Sequence, residues 1–205
     1  MNTEDLPPTQ KGRHYEIRAA GLREFAGLRR PEQPLDPFRL AKYANLVIAS
    51  FDELTDLLTK ETVEQLLVNG KDDWSGGAAS IPLPDGRKLI ILNPTHGKNR
   101  QRATLMEEVS HVFLGHKPSR LAITKRNKEG KIVARDYNAD IEEEAYGTGA
   151  AALIPYLGLK RYVEEGKTSA EIARHFGVSR ALLEFRIKVS KLWDTYKKNL
   201  AERES

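Results

Sequence analysis

The chain has 205 residues, 40% apolar and 30% charged, with a formal net charge of +4 at pH 7, a composition that fits one sizeable globular domain or a domain with a small appendage. It has no cysteine, which excludes disulfides and thiolate metal sites, and no apolar run nears the ~20 residues of a membrane span. The polar opening "MNTEDLPPTQKGRHYE" lacks the apolar core of a secretory signal, so a cytoplasmic protein without a membrane partner is expected, while the mild positive charge permits a nucleic-acid or acidic-protein partner without requiring one.

Residues 1–34 read as an N-terminal extension rich in Pro, Arg and Gln. Within it, "YEIRAAGLREFAGLRR" forms a short helix with Ile17, Leu22, Phe25 and Leu28 loosely on one side. After "PEQPLDP", Asp36 is an N-cap and Pro37 the first helical position of "DPFRLAKYA". "NLVIASF" enters a short strand, and "DELTDLLTKETVEQLLVNG" has the spacing of one helix stopping at Asn69-Gly70. A hairpin is expected next, Ala78–Pro82 against Lys88–Leu92, turning through Pro84-Asp85-Gly86. The loop "PTHGKNRQ" leads to a helix from Arg102 to Leu114, ended by Gly115 and Pro118. Residues 117–138 are basic and irregular, with a turn at Glu129-Gly130. "DIEEEAYGTGAAALIPY" is a helix of small residues closed by Pro155, and the last fifty residues are helical. The chain divides into the extension 1–34, a domain 35–156 and a helical subdomain 157–205. Its fold class is α+β, a small antiparallel sheet packed on helices.

The stretch "TLMEEVSHVFLGH", residues 104–116, carries the chemistry. Glu107 and His111 lie four apart and project from one helix face. Leu105, Met106, Val109, Val112, Phe113 and Leu114 surround them. A helix apolar nearly all round is buried, and buried charges must be paired or coordinated. A histidine at 107 would complete H-E-x-x-H, in which two histidines on one face bind zinc and the glutamate is a general base. The next helix supplies Glu142, Glu143 and Glu144. Behind them Ala145, Gly149 and Ala152 make a face almost without bulk. If that face packs on the 104–115 helix, one of the three glutamates reaches His111. The plainer reading is that Glu107 and Glu108 pair with Arg100, Arg102 or Arg135 and that His111 is a hydrogen-bonded core histidine.

The order of segments resembles the ImmA/IrrE family of zinc-dependent metallopeptidases over most of residues 35–190. The resemblance rests on "LDPFRLA", the hairpin "WSGGAASIPLPDGRKLIILNP", the approach "RQRATLMEEVSHVFLGH", the helix "EEEAYGTGAAALIP" and the closing "IARHFGVSRALLEFRI". It implies a zincin-like fold and a regulatory endopeptidase that cleaves a DNA-binding repressor. The family's H-E-x-x-H falls on residues 107–111. Glu108 then matches the general base and His111 the second histidine ligand. The third ligand is Glu142, three residues before Ala145. Two positions depart from the family pattern: the first ligand position is Glu107, and the position after the alanine is Tyr146.

A carboxylate is an acceptable zinc ligand. With one imidazole and two carboxylates, however, the formal charge around a divalent ion sums to zero, and a less positive centre acidifies water less. Zinc is the first expectation, with Mn2+ or Fe2+ favoured by the harder donors, and no metal if the chain is a pseudo-peptidase that binds a partner without hydrolysis. His116 and His96 are alternative ligands to Glu107. Tyr137 and Tyr146 are available as oxyanion donors.

"TSAEIARHFGVSRALLEFRIKVS" resembles a helix-turn-helix. Thr168 and Glu171 make a capping box, Gly177 supplies the turn, and Ser179 is the next N-cap. Ile172, Phe176, Leu182, Leu183 and Ile187 form its core. As a DNA-binding element it would use Arg180, Arg186 and Lys188. The alternative is a purely structural subdomain that closes the peptidase fold.

Overall fold

Two helices, α5 (Lys98–Phe113) and α6 (Ala139–Leu153), cross at the centre of the molecule. The computed structural model describes residues 5–56, 58–79, 81–116 and 139–204. Small side chains let α5 and α6 approach closely. A Cβ on Gly149 would sit 3.2 Å from the Met106 carbonyl oxygen and from Ser110 Oγ. The opposite side of α6 carries α1 (Gln10–Phe25), capped by Thr9, whose hydroxyl accepts from Gly12 N at 3.1 Å. A Cβ on Gly147 would overlap the Tyr15 ring at 2.5 Å, so this contact also needs glycine. Ala19 and Leu22 of α1 join one continuous core with Leu105, Met106 and Val109 of α5 and Ala150–Leu153 of α6. Near the C-terminus of α1, the buried Arg23 donates to the carbonyls of Ala152 (2.9 Å) and Gln33 (2.6 Å). Burial lowers its pKa to about 10. Helix α2 (Pro37–Tyr43) starts as expected: the Asp36 carboxylate accepts from Phe38 N at 3.1 Å.

The sheet has three strands, β1 (Leu46–Ala49), β2 (Gly76–Ala78) and β3 (Lys88–Leu92), in the order β1-β3-β2. β2 pairs antiparallel with β3, Gly76 opposite Leu92, and β1 pairs parallel with β3, Leu46 opposite Lys88. The sheet is therefore mixed rather than purely antiparallel, within an α+β fold of the zincin-like kind. The hairpin's first strand begins at Gly76, not Ala78. Pro82 and Pro84 carry no N–H for a ladder, whereas Gly76 lets the backbone lie on α5, where a Cβ would meet Thr104 Cγ2 at 2.8 Å. Asn93 then ties the preceding loop to the sheet. Its amide donates to the Lys71 (2.7 Å) and Trp74 (2.9 Å) carbonyls, and its side-chain oxygen accepts from Thr95 N at 2.9 Å.

The single helix expected over residues 52–70 is broken into α3 (Phe51–Thr55), α4 (Lys60–Glu64) and a π-helical turn at Gln65–Asn69. Internal capping residues explain the break. Glu53 reaches back to Ser50 N at 3.1 Å, and Thr59 Oγ1 accepts from Thr62 N at 3.2 Å, so each segment starts its own helix. The Trp74 indole N–H donates to the Leu66 carbonyl at 2.8 Å within the π turn. The basic stretch Lys117–Lys131, its turn, Arg135 and Tyr137 lie outside the described residues.

Four helices complete the chain: α7 (Tyr156–Glu164), α8 (Ser169–Phe176), α9 (Arg180–Val189) and α10 (Trp193–Glu204). Thr168 and Glu171 form the capping box, Gly177 ends α8 at φ +64°, and Ser179 caps α9. Ile172, Phe176, Leu183 and Ile187 are fully buried in the same core as α5 and α6. No described helix is long and apolar enough to cross a membrane.

Candidate metal centre

Helix α5 turns Leu105, Met106 and Val109 into the core and leaves Glu107, Glu108 and His111 half-buried at its rim. The close crossing at Gly149 brings the first turn of α6 beside them. Glu142 Oε2 lies 3.5 Å from His111 Nε2. One ligand atom each from Glu107, His111 and Glu142 falls within 4.8 Å of the others. Among the described residues this is the group of histidine and carboxylate side chains that could hold a metal ion.

The three glutamates of α6 face different partners. Glu143 pairs with Lys11 of α1. Glu144 pairs with Arg18 and lies 3.1 Å from His14 Nε2, both on α1. Glu142 alone of the three is in ion-pair range of His111. Arg102 is engaged elsewhere, donating to the Gly177 (3.0 Å) and Leu35 (2.7 Å) carbonyls. Arg100 donates to Ser75 Oγ at 3.1 Å.

His116 sits behind His111. Gly115 adopts φ +69°, and the chain doubles back so that His116 N donates to the His111 carbonyl at 2.9 Å while Gly115 N donates to Val112 O at 3.1 Å. This is a left-handed helix stop of the Schellman type. It places the two rings at 67° with Nδ1 of one 3.1 Å from Nδ1 of the other. The far nitrogen of His116 contacts Glu144 Oε2 at 3.1 Å. His116 is thus a neighbour of His111 rather than a member of the group that could hold a metal ion. The signal for it was in the sequence: in "HVFLGH", glycine near the helix end folds the last histidine onto the first.

Burial lowers the pKa of His111, against the opposing pull of Glu142, with Lys88 adding to the lowering. Burial lowers that of His116 too, helped by His111 and Arg18. Both rings are therefore biased toward the neutral form in which an imidazole nitrogen can bind a metal. Tyr146, one turn after Glu142, packs edge-on against Phe185 at 5.5 Å. Burial raises its phenol pKa, and the charge of Glu107 raises it further. His96 is buried in the loop before α5, with Nε2 3.5 Å from Asn93 Nδ2, and burial lowers its pKa. It belongs to that loop's hydrogen bonding and not to the metal group.

The candidate DNA contacts separate. Arg186 is 2% exposed, with its guanidinium on the Ile154 carbonyl (3.1 Å) and the Glu16 carboxylate. It points inward because it holds α9 to α1 and to the α6–α7 turn, so it is unavailable to a phosphate or a base. Arg180 is exposed and lies 3.8 Å from Glu184, and the Lys188 ammonium sits 5.0 Å from the Trp193 ring centre.

No curated protein matches the chain. A family model does: the IrrE N-terminal-like domain, a peptidase family, covers residues 63–188, from α4 through α9. That span is more than half of the chain and contains every residue of the metal group, and the chain belongs to the IrrE N-terminal-like peptidase family.

Proposed function

We propose that the protein is a metal-dependent endopeptidase in which Glu107, His111 and Glu142 hold one divalent ion and Glu108 is the general base. The observation that supports this reading is the convergence of three ligand atoms within 4.8 Å inside the peptidase-family match. Donors bound at about 2.0–2.1 Å around a tetrahedral zinc stand roughly 3.3–3.4 Å apart. The His111–Glu142 pair is at 3.5 Å, so these residues fit an ion after small side-chain rotations.

An ion held there supplies Lewis-acid polarisation of a carbonyl and acidification of water. Glu108 follows Glu107 by one residue and so projects about 100° further round the helix. From there it takes a proton from the attacking water and delivers it to the departing amine nitrogen. The peptide itself fits the edge of the sheet. Among the described residues β2 pairs only with β3, which leaves one side of β2 for an added strand. An apolar groove lined by Phe51, Leu54, Leu66, Trp74 and Ile91 runs beside it. The family resemblance, not the geometry, supports a regulatory role in which the substrate is a DNA-binding repressor, and a cytoplasmic location is proposed beside it. Zinc is the proposed ion, with Mn2+ or Fe2+ as alternatives suited to two carboxylates.

The second reading is a non-hydrolytic binding module, and Glu107 itself favours it. Two carboxylates cancel the charge of a divalent ion and weaken its acidifying effect. Elemental mass spectrometry on untagged protein, with Glu107→Ala and His111→Ala alongside, separates the two. Near-stoichiometric metal lost in both variants supports the ligand set. No metal, with added zinc or manganese failing to bind, would remove it. With a cleaved protein in hand, Glu108→Gln should abolish cleavage, a loss of at least 10²-fold for a removed acid–base group, while metal content stays unchanged.

A further inference from the structure

The hydrogen-bonding direction behind His111 is fixed by the residues around it. His116 Nε2 lies 3.1 Å from Glu144 Oε2. A carboxylate oxygen only accepts, so that nitrogen carries a proton. A neutral His116 then has a bare Nδ1. This bare nitrogen is 3.1 Å from Nδ1 of His111 and needs a donor, so the proton of His111 stands on Nδ1. Nε2 of His111 is left with its lone pair free, and it faces Glu142 and Glu107. With one proton per ring, one end of the chain must meet a carboxylate with a bare nitrogen, and the proton goes to the closer contact, His116 to Glu144 at 3.1 Å, rather than to His111 and Glu142 at 3.5 Å.

Glu144 is itself held. Arg18 pairs with its other oxygen, and His14 Nε2 stands 3.1 Å from the same atom. The side chain of His116 is 9% exposed, so water competes poorly for these bonds. The Gly115 stop fixes the backbone of His116 against His111. The chain Glu144–His116–His111 therefore has one consistent polarity, running from α6 through the Gly115 stop to His111.

We infer that His116 and Glu144 are positioning residues that hold His111 in the tautomer whose Nε2 can ligate a metal ion. The inference rests on the ligand set proposed above. Metal-ligating histidines ordinarily give their second N–H to a carboxylate or carbonyl, and loss of such a partner costs about 10- to 100-fold in metal affinity. Here a second imidazole stands between histidine and carboxylate, and that carboxylate, Glu144 of α6, is itself held by Arg18 and His14 of α1, a helix outside residues 63–188 of the family match.

The test uses the full chain, metal-free and labelled with 15N-histidine, at about pH 8, above the ordinary histidine range. Long-range proton–nitrogen correlation spectra read which ring nitrogen carries the proton. In the unaltered protein His111 should be protonated on Nδ1 and His116 on Nε2. In His116→Ala the His111 proton should move to Nε2, the form a free imidazole prefers. Zinc affinity, read by competition with a chromophoric chelator, should fall about 10-fold or more. His116→Gln keeps one acceptor and one donor, so it should retain both the tautomer and an affinity close to that of the parent. A His111 proton on Nε2 in the metal-free parent overturns the inference, and so does undiminished zinc affinity in His116→Ala. A parent that binds no zinc yet keeps the His111 proton on Nδ1 would remove the ligand set and leave the relay standing.

Discussion

Two clusters of charged side chains inside this molecule look alike in the sequence and differ in kind in the structure. Glu16 and Arg186 are both buried, with side chains 7% and 2% exposed. The guanidinium satisfies the carboxylate and the Ile154 carbonyl, and the remaining Glu16 oxygen accepts from Tyr156 N at 3.1 Å. Burial pushes the Glu16 carboxyl up, while Arg186 and the Tyr156 N–H pull against that shift. Donors and acceptors balance, and the cluster is closed. Glu107, His111 and Glu142 form the opposite case. Two carboxylates and an imidazole nitrogen converge at a half-buried rim, with one ligand atom of each within 4.8 Å of the others. A balanced polar cluster fastens helices together. One whose ligand atoms converge at a half-buried rim can take a cation, and that contrast separates the structural pair from the candidate site.

The strongest attempt to break the comparison is Arg186→Ala. It leaves a buried carboxylate unpaired and should cost about 3–5 kcal/mol, while Glu16→Leu with Arg186→Met should recover most of that loss. Urea unfolding measures both. A single variant within about 1 kcal/mol of the parent would show that the pair does not fasten the fold. The metal group should behave in the reverse way. Glu142→Gln removes the carboxylate beside His111 and a favourable first-turn charge on α6, so metal-free stability should change by less than about 1 kcal/mol. Zinc at a hundred times its dissociation constant should stabilise the parent by about 2.7 kcal/mol. Glu142→Gln should forfeit most of that gain at the same zinc concentration. Thermal unfolding with and without zinc reads it, and equal gains in both proteins would put the ion elsewhere.

Local signals carried much of this into view from the sequence. Asp36-Pro37, the Thr168 capping box and Ser179 each mark a helix start through a side-chain oxygen and a backbone N–H a few residues away, and all three are formed. The small face of α6 likewise foretold a close crossing, now visible at Gly149. What failed depends on competition or distance. Leucine spacing over 52–70 argues for one helix, yet Ser50 with Glu53 and Thr59 with Thr62 start two. The parallel pairing of β1 with β3 joins residues over forty apart and leaves no local mark. Arg186 reads as a surface cation in "LLEFRIKVS" because its partner Glu16 lies 170 positions away. At the site, neighbouring glutamates could not be told apart by spacing alone. Their separation comes from Lys11, Arg18 and His14 of α1, which engage Glu143 and Glu144.

The smallest expected effect sharpens the contrast from the solvent side. Glu171 caps α8 through Thr168 and also meets Arg203 of α10 at 2.8 Å, but it is exposed to water. Its pKa is lowered from 4.5 to about 2 by the Arg203 hydrogen bonds first and the Thr168 backbone N–H second. A carboxyl depressed in the folded state contributes stability that is fully present above its unfolded pKa and is lost as pH falls through the folded one. The contribution should therefore hold at pH 7, decline below about 4.5 and vanish near 2. Glu171→Gln should lower Tm at pH 7 by about 2 °C, in line with a weakened ion pair in a chain of this size, because Gln can still make the reciprocal capping bond. The two proteins should converge as the solution is acidified toward pH 2. Because this pair is surface-exposed, the difference should also shrink with added salt, whereas the loss in Arg186→Ala should not. A salt-insensitive deficit in Glu171→Gln would mean that the cap to Thr168, and not the charge pair with Arg203, carries the effect.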